Sequence, residues 1–150
     1  MEYRDLLPVA FALAVQAHGG TLNSDGTPYI LHPLRLMMAA RGYEEQIVAI
    51  LHDTIEDTPL TREELRAAGF PQAILHALDA LTKRAGEDYD AFIERIALNP
   101  LAALVKLLDL YDNIDVTRLP ALGDWELKRT AKYHRAILRL RQEHPGTKTE

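Results

Sequence analysis

The sequence predicts an all-α protein that folds as one compact, single-domain helical bundle. Apolar residues recur at helical spacing along nearly the whole chain, and no segment of useful length alternates in the manner of a half-buried strand. Gly, Pro and Asn punctuate these segments at positions typical of helix ends. With 150 residues, 47% of them hydrophobic, the chain is long enough to bury one core.

The first three predicted helices occupy the first third of the chain. The first runs over 6–18 and is stopped by two glycines, and the turn-rich segment 20–31 predicts a loop. Pro33, in a first helical turn, predicts a second helix to about Arg41 that Gly42 closes. A third helix begins near Tyr43 and ends at Thr58–Pro59.

Five further helices follow, over 61–68, 71–81, 88–98, 100–113 and 124–143. Thr61 and Glu64 form the pattern of a capping box, and Asn99 with Pro100 is a cap followed by a first-turn proline. Asp124 is expected to cap the last helix. The predicted domain therefore covers 1–143, followed by a polar tail over 144–150.

Composition excludes several classes of function. Because the chain has no cysteine, it has neither a disulfide framework nor a thiolate metal site, and any metal must be held by nitrogen and oxygen. A net charge of −5 gives no general attraction to nucleic acid or to anionic membranes. The chain opens without a signal peptide and has no apolar run of membrane-spanning length, so a cytoplasmic location is expected.

The chemistry-bearing residues concentrate on the predicted third helix. His52 and Asp53 are followed by Glu56 and Asp57, so that each of the first two has a carboxylate four residues on, sharing its helix face. The pair lies directly behind the apolar run 47–51, which predicts partial burial. A cluster of histidine and acids in a cleft is typical of a functional site, whereas a fully solvated acidic face is the alternative.

Two more residues complete a candidate metal site. His32 begins the second helix, and Asp109 lies within an apolar stretch of the seventh, where an unpaired carboxylate is costly. Two imidazoles and two carboxylates predict a divalent metal, with manganese first and zinc, iron or magnesium as alternatives. The competing interpretations are a salt bridge from Asp109 to Lys106 or Arg118, and a His32 hydrogen-bonded to backbone.

The ordered His…His-Asp…Asp pattern resembles the HD superfamily of metal-dependent phosphohydrolases. Across about residues 5–140 the chain is similar to the hydrolase domain of the RelA/SpoT family and to the small alarmone (ppGpp) pyrophosphohydrolases. The matching strings are Ala17–Gly20, Gly26–Leu34, Leu51–Thr58, Leu81–Lys83 and Val105–Asn113. The resemblance implies a bundle of the HD-domain type.

The resemblance also implies roles for particular residues. The metal ligands would be His32, His52, Asp53 and Asp109. Glu56 and Asp57 would position and deprotonate the attacking water, as a general base does. The substrate contacts would include Asn113, Arg129 and Tyr133. Independently of the resemblance, Lys83 follows a helix end and could reach a phosphate, with an ordinary surface lysine as the alternative.

The recognition shell departs from the family pattern at four positions: Asn23, Ser24, Leu110 and Asp112. The sequence therefore supports the reaction class, hydrolysis of a nucleotide phosphate or pyrophosphate, better than it supports ppGpp as the substrate. The alternatives are a 5′-nucleotide monophosphatase of the same superfamily, and a metal-containing nucleotide sensor without turnover. The sequence predicts a small-molecule nucleotide partner and neither nucleic acid nor membrane, and leaves the oligomeric state open.

Overall fold

In the computed structural model, which describes residues 1–145, the chain forms nine α-helices and no strand. The helices are α1 (Tyr3–His18), α2 (Leu31–Ala39), α3 (Tyr43–Leu51), α4 (Thr54–Asp57), α5 (Arg62–Ala67), α6 (Gln72–Ala80), α7 (Tyr89–Ala97), α8 (Pro100–Asn113) and α9 (Asp124–Glu143). A turn of 3-10 helix, Val116–Arg118, connects α8 to α9. The predicted all-α class is confirmed.

Helix α3 is the centre of the bundle. Its residues 47–51 are all fully buried, because α3 packs against α1, α2, α6 and α8 at once. A helix that is apolar on every side is stable only when neighbours cover every side. The end of α3 therefore delivers the residues that follow it into the protein interior.

Helix α8 is the second interior element. It packs against α2, α3, α6, α7 and α9, and its buried residues include Val105, Leu107 and Leu110. Helix α9 covers α7 and α8 through a narrower apolar stripe that includes Ala136, Ile137 and Leu140. This arrangement brings α2, α8 and the end of α3 to one side of the core.

The predicted caps of two helices are confirmed. The Thr61 side chain accepts a hydrogen bond from the Glu64 backbone N–H, and the Glu64 side chain accepts one from the Thr61 backbone, as in a capping box. The Asn99 side chain accepts from the backbone N–H of Ala102, and Pro100 occupies the first turn of α8.

The predicted third helix is wrong in its second half, because the helix is interrupted at His52–Asp53, which separates α3 from α4. Asp53 has φ −120° and ψ 9°, outside the helical region. The Thr54 hydroxyl donates to the Leu51 carbonyl and His52 Nδ1 donates to the Ala49 carbonyl, both at 2.8 Å. Such local side-chain bonds compete with the backbone hydrogen bonds of a continuous helix.

Other boundaries also differ from the prediction. Helix α1 begins at Tyr3 rather than Leu6, and α2 ends at Ala39, so that Gly42 precedes α3 instead of closing α2. Asp124 does not cap α9: Gly123 occupies that position without a side-chain bond, and Asp124 is the first helical residue. At that position its carboxylate still complements the positive end of the helix dipole.

The domain boundary at 143 coincides with the end of α9 and stays a prediction. Of the predicted tail, His144 lies with its Nε2 3.3 Å from the Ala97 carbonyl, and residues 146–150 lie outside the described part of the chain. Within residues 1–145, no helix combines the length and the apolar character that crossing a bilayer requires.

Candidate metal centre

Three of the four predicted ligands form a buried cluster on three different elements. His32 lies in the first turn of α2, His52 follows the end of α3, and Asp109 lies in the middle of α8. One nitrogen or oxygen atom from each lies within 4.8 Å of those of the other two. The cluster is the one candidate metal-binding group in the described residues.

Both imidazoles point their Nε2 atoms towards Asp109. His32 Nε2 lies 2.8 Å from Asp109 Oδ1 and His52 Nε2 lies 3.5 Å from the same oxygen. His52 Nδ1 donates to the Ala49 carbonyl, which leaves Nε2 as its free ligand atom. The rings meet edge to face with their centroids 5.3 Å apart.

Asp53, the fourth predicted ligand, lies beside this cluster. Its Oδ2 is 3.8 Å from His52 Nε2 and accepts a hydrogen bond from the Tyr29 hydroxyl. Its Oδ1 is 3.2 Å from His18 Nε2, so His18 supports this carboxylate. Burial opposes ionisation of Asp53, but His52, the contact with His18 and the hydrogen bond from Tyr29 outweigh it and hold its pKa below the usual range.

Asp109 is a paired carboxylate as well as a candidate ligand. Lys106 Nζ lies 2.8 Å from its Oδ2, so the salt bridge that the sequence offered as an alternative is present. Asn113 Nδ2 donates to Oδ1 at 3.0 Å. Although burial opposes its ionisation, Lys106 and the two histidines hold the pKa of Asp109 well below its usual range.

The cluster favours a cation. Burial would lower the pKa of His32, yet the carboxylates of Asp109 and Asp112 raise it to about 9. The two carboxylates that favour a proton on His32 would also attract a divalent ion, which must displace the proton from Nε2 in order to bind there. The donors at the cluster are two imidazoles and one buried carboxylate, with a second carboxylate alongside. They are all nitrogen and oxygen atoms, as expected for a metal site in a chain without cysteine.

Glu56 and Asp57, the predicted general bases, lie on the short helix α4. Both residues line the same cavity as the metal cluster. Partial burial and the charge of Asp57 raise the pKa of Glu56, and partial burial and the charge of Asp53 raise the pKa of Asp57. A carboxylate with a raised pKa accepts a proton more readily, which suits a base.

The cavity has a volume of about 580 Å³ and runs from the metal cluster to α9. Asn113, Arg129 and Tyr133 line it, together with the altered positions Asn23, Ser24 and Asp112. Lys83 is outside the lining, and its backbone N–H bonds to Glu56. Leu110, the remaining altered position, is fully buried in the core.

Cations line the side of the cavity towards α9. Lys106 and Arg129 both contribute to the wall. The Arg129 guanidinium stacks over the Trp125 ring, 4.4 Å from its centroid, and burial raises the pKa of the neighbouring Tyr133. Because Lys106 is paired with Asp109, the net positive charge of this wall comes from Arg129, although the whole chain is acidic.

Sequence reasoning gave no role in the site to Tyr29 and Arg35, which lie three residues before and after His32. Tyr29 bonds Asp53, and Arg35 bonds Asp112, which in turn contacts His32. Residues three apart share a face of a helix or turn, so their spacing from a candidate ligand was an available signal. The partners of Tyr29 and Arg35 could not be identified from the sequence, because they lie 24 and 77 residues away.

Comparison with models of known protein families gives no match. Among curated proteins, the chain is 34% identical over 125 residues to a guanosine-3′,5′-bis(diphosphate) 3′-pyrophosphohydrolase of Aquifex aeolicus (strain VF5), covering 75% of the chain and 18% of that protein. It is 33% identical over 122 residues to a probable GTP pyrophosphokinase of Mycobacterium leprae (strain TN), covering 73% and 15%. The chain thus spans less than a fifth of the length of these relatives.

A solved structure described as a metazoan ortholog of SpoT that hydrolyzes ppGpp superposes with a TM-score of 0.72. The superposition covers 95% of the chain and 87% of that structure at 18% sequence identity. The fold predicted from the resemblance is therefore confirmed.

Proposed function

We infer from the chain's membership of the RelA/SpoT-type branch of the HD superfamily that it is a metal-dependent phosphohydrolase acting on a nucleotide, with ppGpp as the first candidate substrate. The observation that carries this proposal is the placing of Glu56 and Asp57 in the same cavity as the His32–His52–Asp109 cluster. A nucleotide sensor that uses a metal only for structure has no need of a base with a raised pKa beside it.

We propose that His32, His52, Asp53 and Asp109 hold the metal, with Mn²⁺ the first choice. A divalent ion there would neutralise phosphate oxygens and lower the pKa of a bound water. The chain's own residues then account for the rest: Glu56 and Asp57 take the proton of the attacking water, since both carboxylates reach the cavity from α4.

The positive wall supplies the substrate contacts. Arg129 and Tyr133 bind phosphate oxygens, and Asn113, whose amide is already held by Asp109, contacts the nucleotide. Lys83 contributes charge from just outside the cavity. In the proposed reaction water adds to the phosphorus next to the 3′ oxygen, that P–O bond breaks, and the 3′ oxygen takes up a proton, so ppGpp yields guanosine 5′-diphosphate and pyrophosphate.

A substrate panel with added Mn²⁺ tests the function. Phosphate and pyrophosphate release are measured from ppGpp, GTP, NADPH and deoxynucleoside monophosphates. We expect pyrophosphate from ppGpp, whereas phosphate from the monophosphates alone would identify a 5′-nucleotidase. No release from any of them, with nucleotide binding intact, would identify a sensor.

Glu56→Gln is the decisive variant within this panel. We expect turnover to fall by about 10²- to 10⁴-fold, as for loss of a general base, with Mn²⁺ affinity unchanged. Glu63→Gln is the matched control, because Glu63 is an exposed glutamate on α5 that pairs with Arg66. Equal turnover in the two variants would remove Glu56 from the mechanism.

A further inference from the structure

Asp112 contacts the back of a candidate metal ligand. It lies on α8 three residues after Asp109, and its Oδ2 is 2.6 Å from His32 Nδ1. The imidazole of His32 is therefore held between two carboxylates of one helix, Asp109 at Nε2 and Asp112 at Nδ1. From sequence alone, Asp112 was only a departure in the substrate shell.

Two arginines hold the Asp112 carboxylate in place. Arg35 forms a bidentate pair with it, from Nε to Oδ1 at 2.8 Å and from a terminal nitrogen to Oδ2 at 3.0 Å. Arg118 lies 3.3 Å from Oδ1 and also donates to the Asp112 backbone carbonyl. With only 12% of its side chain exposed and both oxygens occupied, Asp112 is a support rather than a further metal ligand.

The contact selects which nitrogen of His32 faces the cluster. A neutral imidazole has one N–H, and when Nδ1–H donates to Asp112, the lone pair lies on Nε2. Nε2 is the atom that faces Asp109 and the His52 side of the cluster. His52 is oriented in the same way, with the Ala49 carbonyl in place of a carboxylate.

A purely structural role would be different. The Arg35–Asp112 pair alone would tie α2 to α8, and any residue that kept the two helices packed would serve. The direct contact with His32 adds a requirement that helix packing does not impose. Outer carboxylates of this kind fix the ring and raise the basicity of a ligating histidine.

We propose that Asp112 is a positioning residue for the metal centre: it fixes the tautomer and orientation of His32, and Arg35 and Arg118 lock its carboxylate. The inference rests on the proposed metal centre. It also changes the meaning of the family departure at this position, from a loss in substrate recognition to a gain in metal support.

Metal affinity is the direct test, measured by titrating the full chain with Mn²⁺ and following free Mn²⁺ by electron paramagnetic resonance. We expect Asp112→Ala to weaken binding by about 10- to 100-fold. Asp112→Asn keeps the shape and an acceptor oxygen, and we expect a smaller loss of severalfold. Asp115→Asn is the matched control: Asp115 also pairs with Arg118, at 3.1 Å, but is 41% exposed, and we expect affinity within about twofold of the parent.

Nitrogen-15 NMR of the Zn²⁺-loaded protein reports the tautomer itself. We expect the His32 proton on Nδ1 in the parent and in Asp115→Asn, and mixed tautomers in Asp112→Ala. This readout does not respond to a loss of helix packing alone, which thermal melting of the metal-free variants measures separately.

Two results separate the possible failures. If the parent binds Mn²⁺ and both Asp112 variants bind it equally well, the positioning role is overturned and the metal centre stands. If the parent binds neither Mn²⁺ nor Zn²⁺, the metal centre and this inference are overturned together. A His32 proton on Nε2 in the Zn²⁺-loaded parent would also overturn the positioning role.

Discussion

At the residue scale, the site is built from buried carboxylates, each of which contacts a charged or polar partner. Asp109 is matched by Lys106, and Asp53 by His18 and the Tyr29 hydroxyl. An isolated buried carboxylate costs several kcal/mol, so each of these partners is needed for the ligand to remain ionised. Glu56 and Asp57 differ from the ligands, because their surroundings raise their pKa values.

The raised pKa of Glu56 gives a prediction for pH dependence. A base must be ionised to act, so activity is lost as the pH falls through its pKa. Asp57→Asn removes a negative neighbour that raises the pKa of Glu56, and we therefore expect the acid limb of kcat/KM to shift to lower pH, whatever the change in its maximum. The measurement is a pH–rate profile of the Mn²⁺-loaded protein.

Asp25→Asn is the control for that profile. Asp25 lines the same cavity but is absent from the charges that shift Glu56. Its acid limb should coincide with the parent's. An unmoved limb in Asp57→Asn, or one moved to higher pH, would contradict the assignment of Glu56 as the titrating base.

At the element scale, the break between α3 and α4 is what places the site. A continuous helix would carry His52 and Asp53 about 100° apart around one axis. The turn at Asp53 instead lets His52 reach Asp109 while Asp53 faces His18 and Tyr29. The fully buried Thr54 holds this turn through its bond to the Leu51 carbonyl.

Thr54→Val tests the energetic weight of that bond. It keeps the side-chain shape but leaves the buried Leu51 carbonyl without the hydroxyl, so we expect a loss of about 1–3 kcal/mol in unfolding free energy. Urea denaturation measures it. Thr130→Val is the comparison, because Thr130 donates to the Glu126 carbonyl on the partly exposed α9, and its loss should be smaller. Equal losses would mean that the turn is held by other contacts.

Helix α9 offers an optical reporter for the positive wall. Trp125 is the one tryptophan in the sequence, and it carries the Arg129 guanidinium over its ring. If Arg129 binds phosphate, titration of the metal-free protein with pyrophosphate should change Trp125 emission. The change should vanish in Arg129→Ala and persist in Arg139→Ala, whose arginine pairs with Glu94 outside the cavity. A response retained by Arg129→Ala would place the phosphate elsewhere.

At the scale of the whole molecule, the candidate metal site joins three elements that are distant in sequence. An ion held by α2, α8 and the end of α3 would therefore stabilise the bundle as well as the site. A ligand that binds only the folded state adds about 2.7 kcal/mol at one hundred times its Kd.

We therefore expect Mn²⁺ to raise the melting temperature and EDTA to reverse the increase, as measured by circular dichroism. His52→Ala should lose the increase. His76→Ala should keep it, because His76 is exposed on α6 away from the cluster. A metal-induced increase that survives in His52→Ala would show that the ion binds elsewhere.

The helical class and most helix bounds were predictable from sequence because they depend on local signals, whereas the set of metal ligands stays a prediction. Hydrophobic periodicity, the Thr61–Glu64 box and the Asn99–Pro100 start are all encoded within a few residues. The break at His52–Asp53 was not predictable, because a threonine hydroxyl also bonds a carbonyl three or four residues back inside continuous helices, as Thr130 does in α9, so Thr54 by itself does not signal a break.

The sequence by itself determined which donor atoms are available and on which segments they lie: imidazoles and carboxylates, no thiols, and an acid embedded in an apolar helix. Tertiary structure alone decided how they are paired. Asp112 meets His32 across 80 residues of sequence, and Tyr29 meets Asp53 across 24. The physical reason is that burial makes every unpaired charge costly, and only the packing of α2, α3 and α8 decides which opposite charge is near enough to offset it.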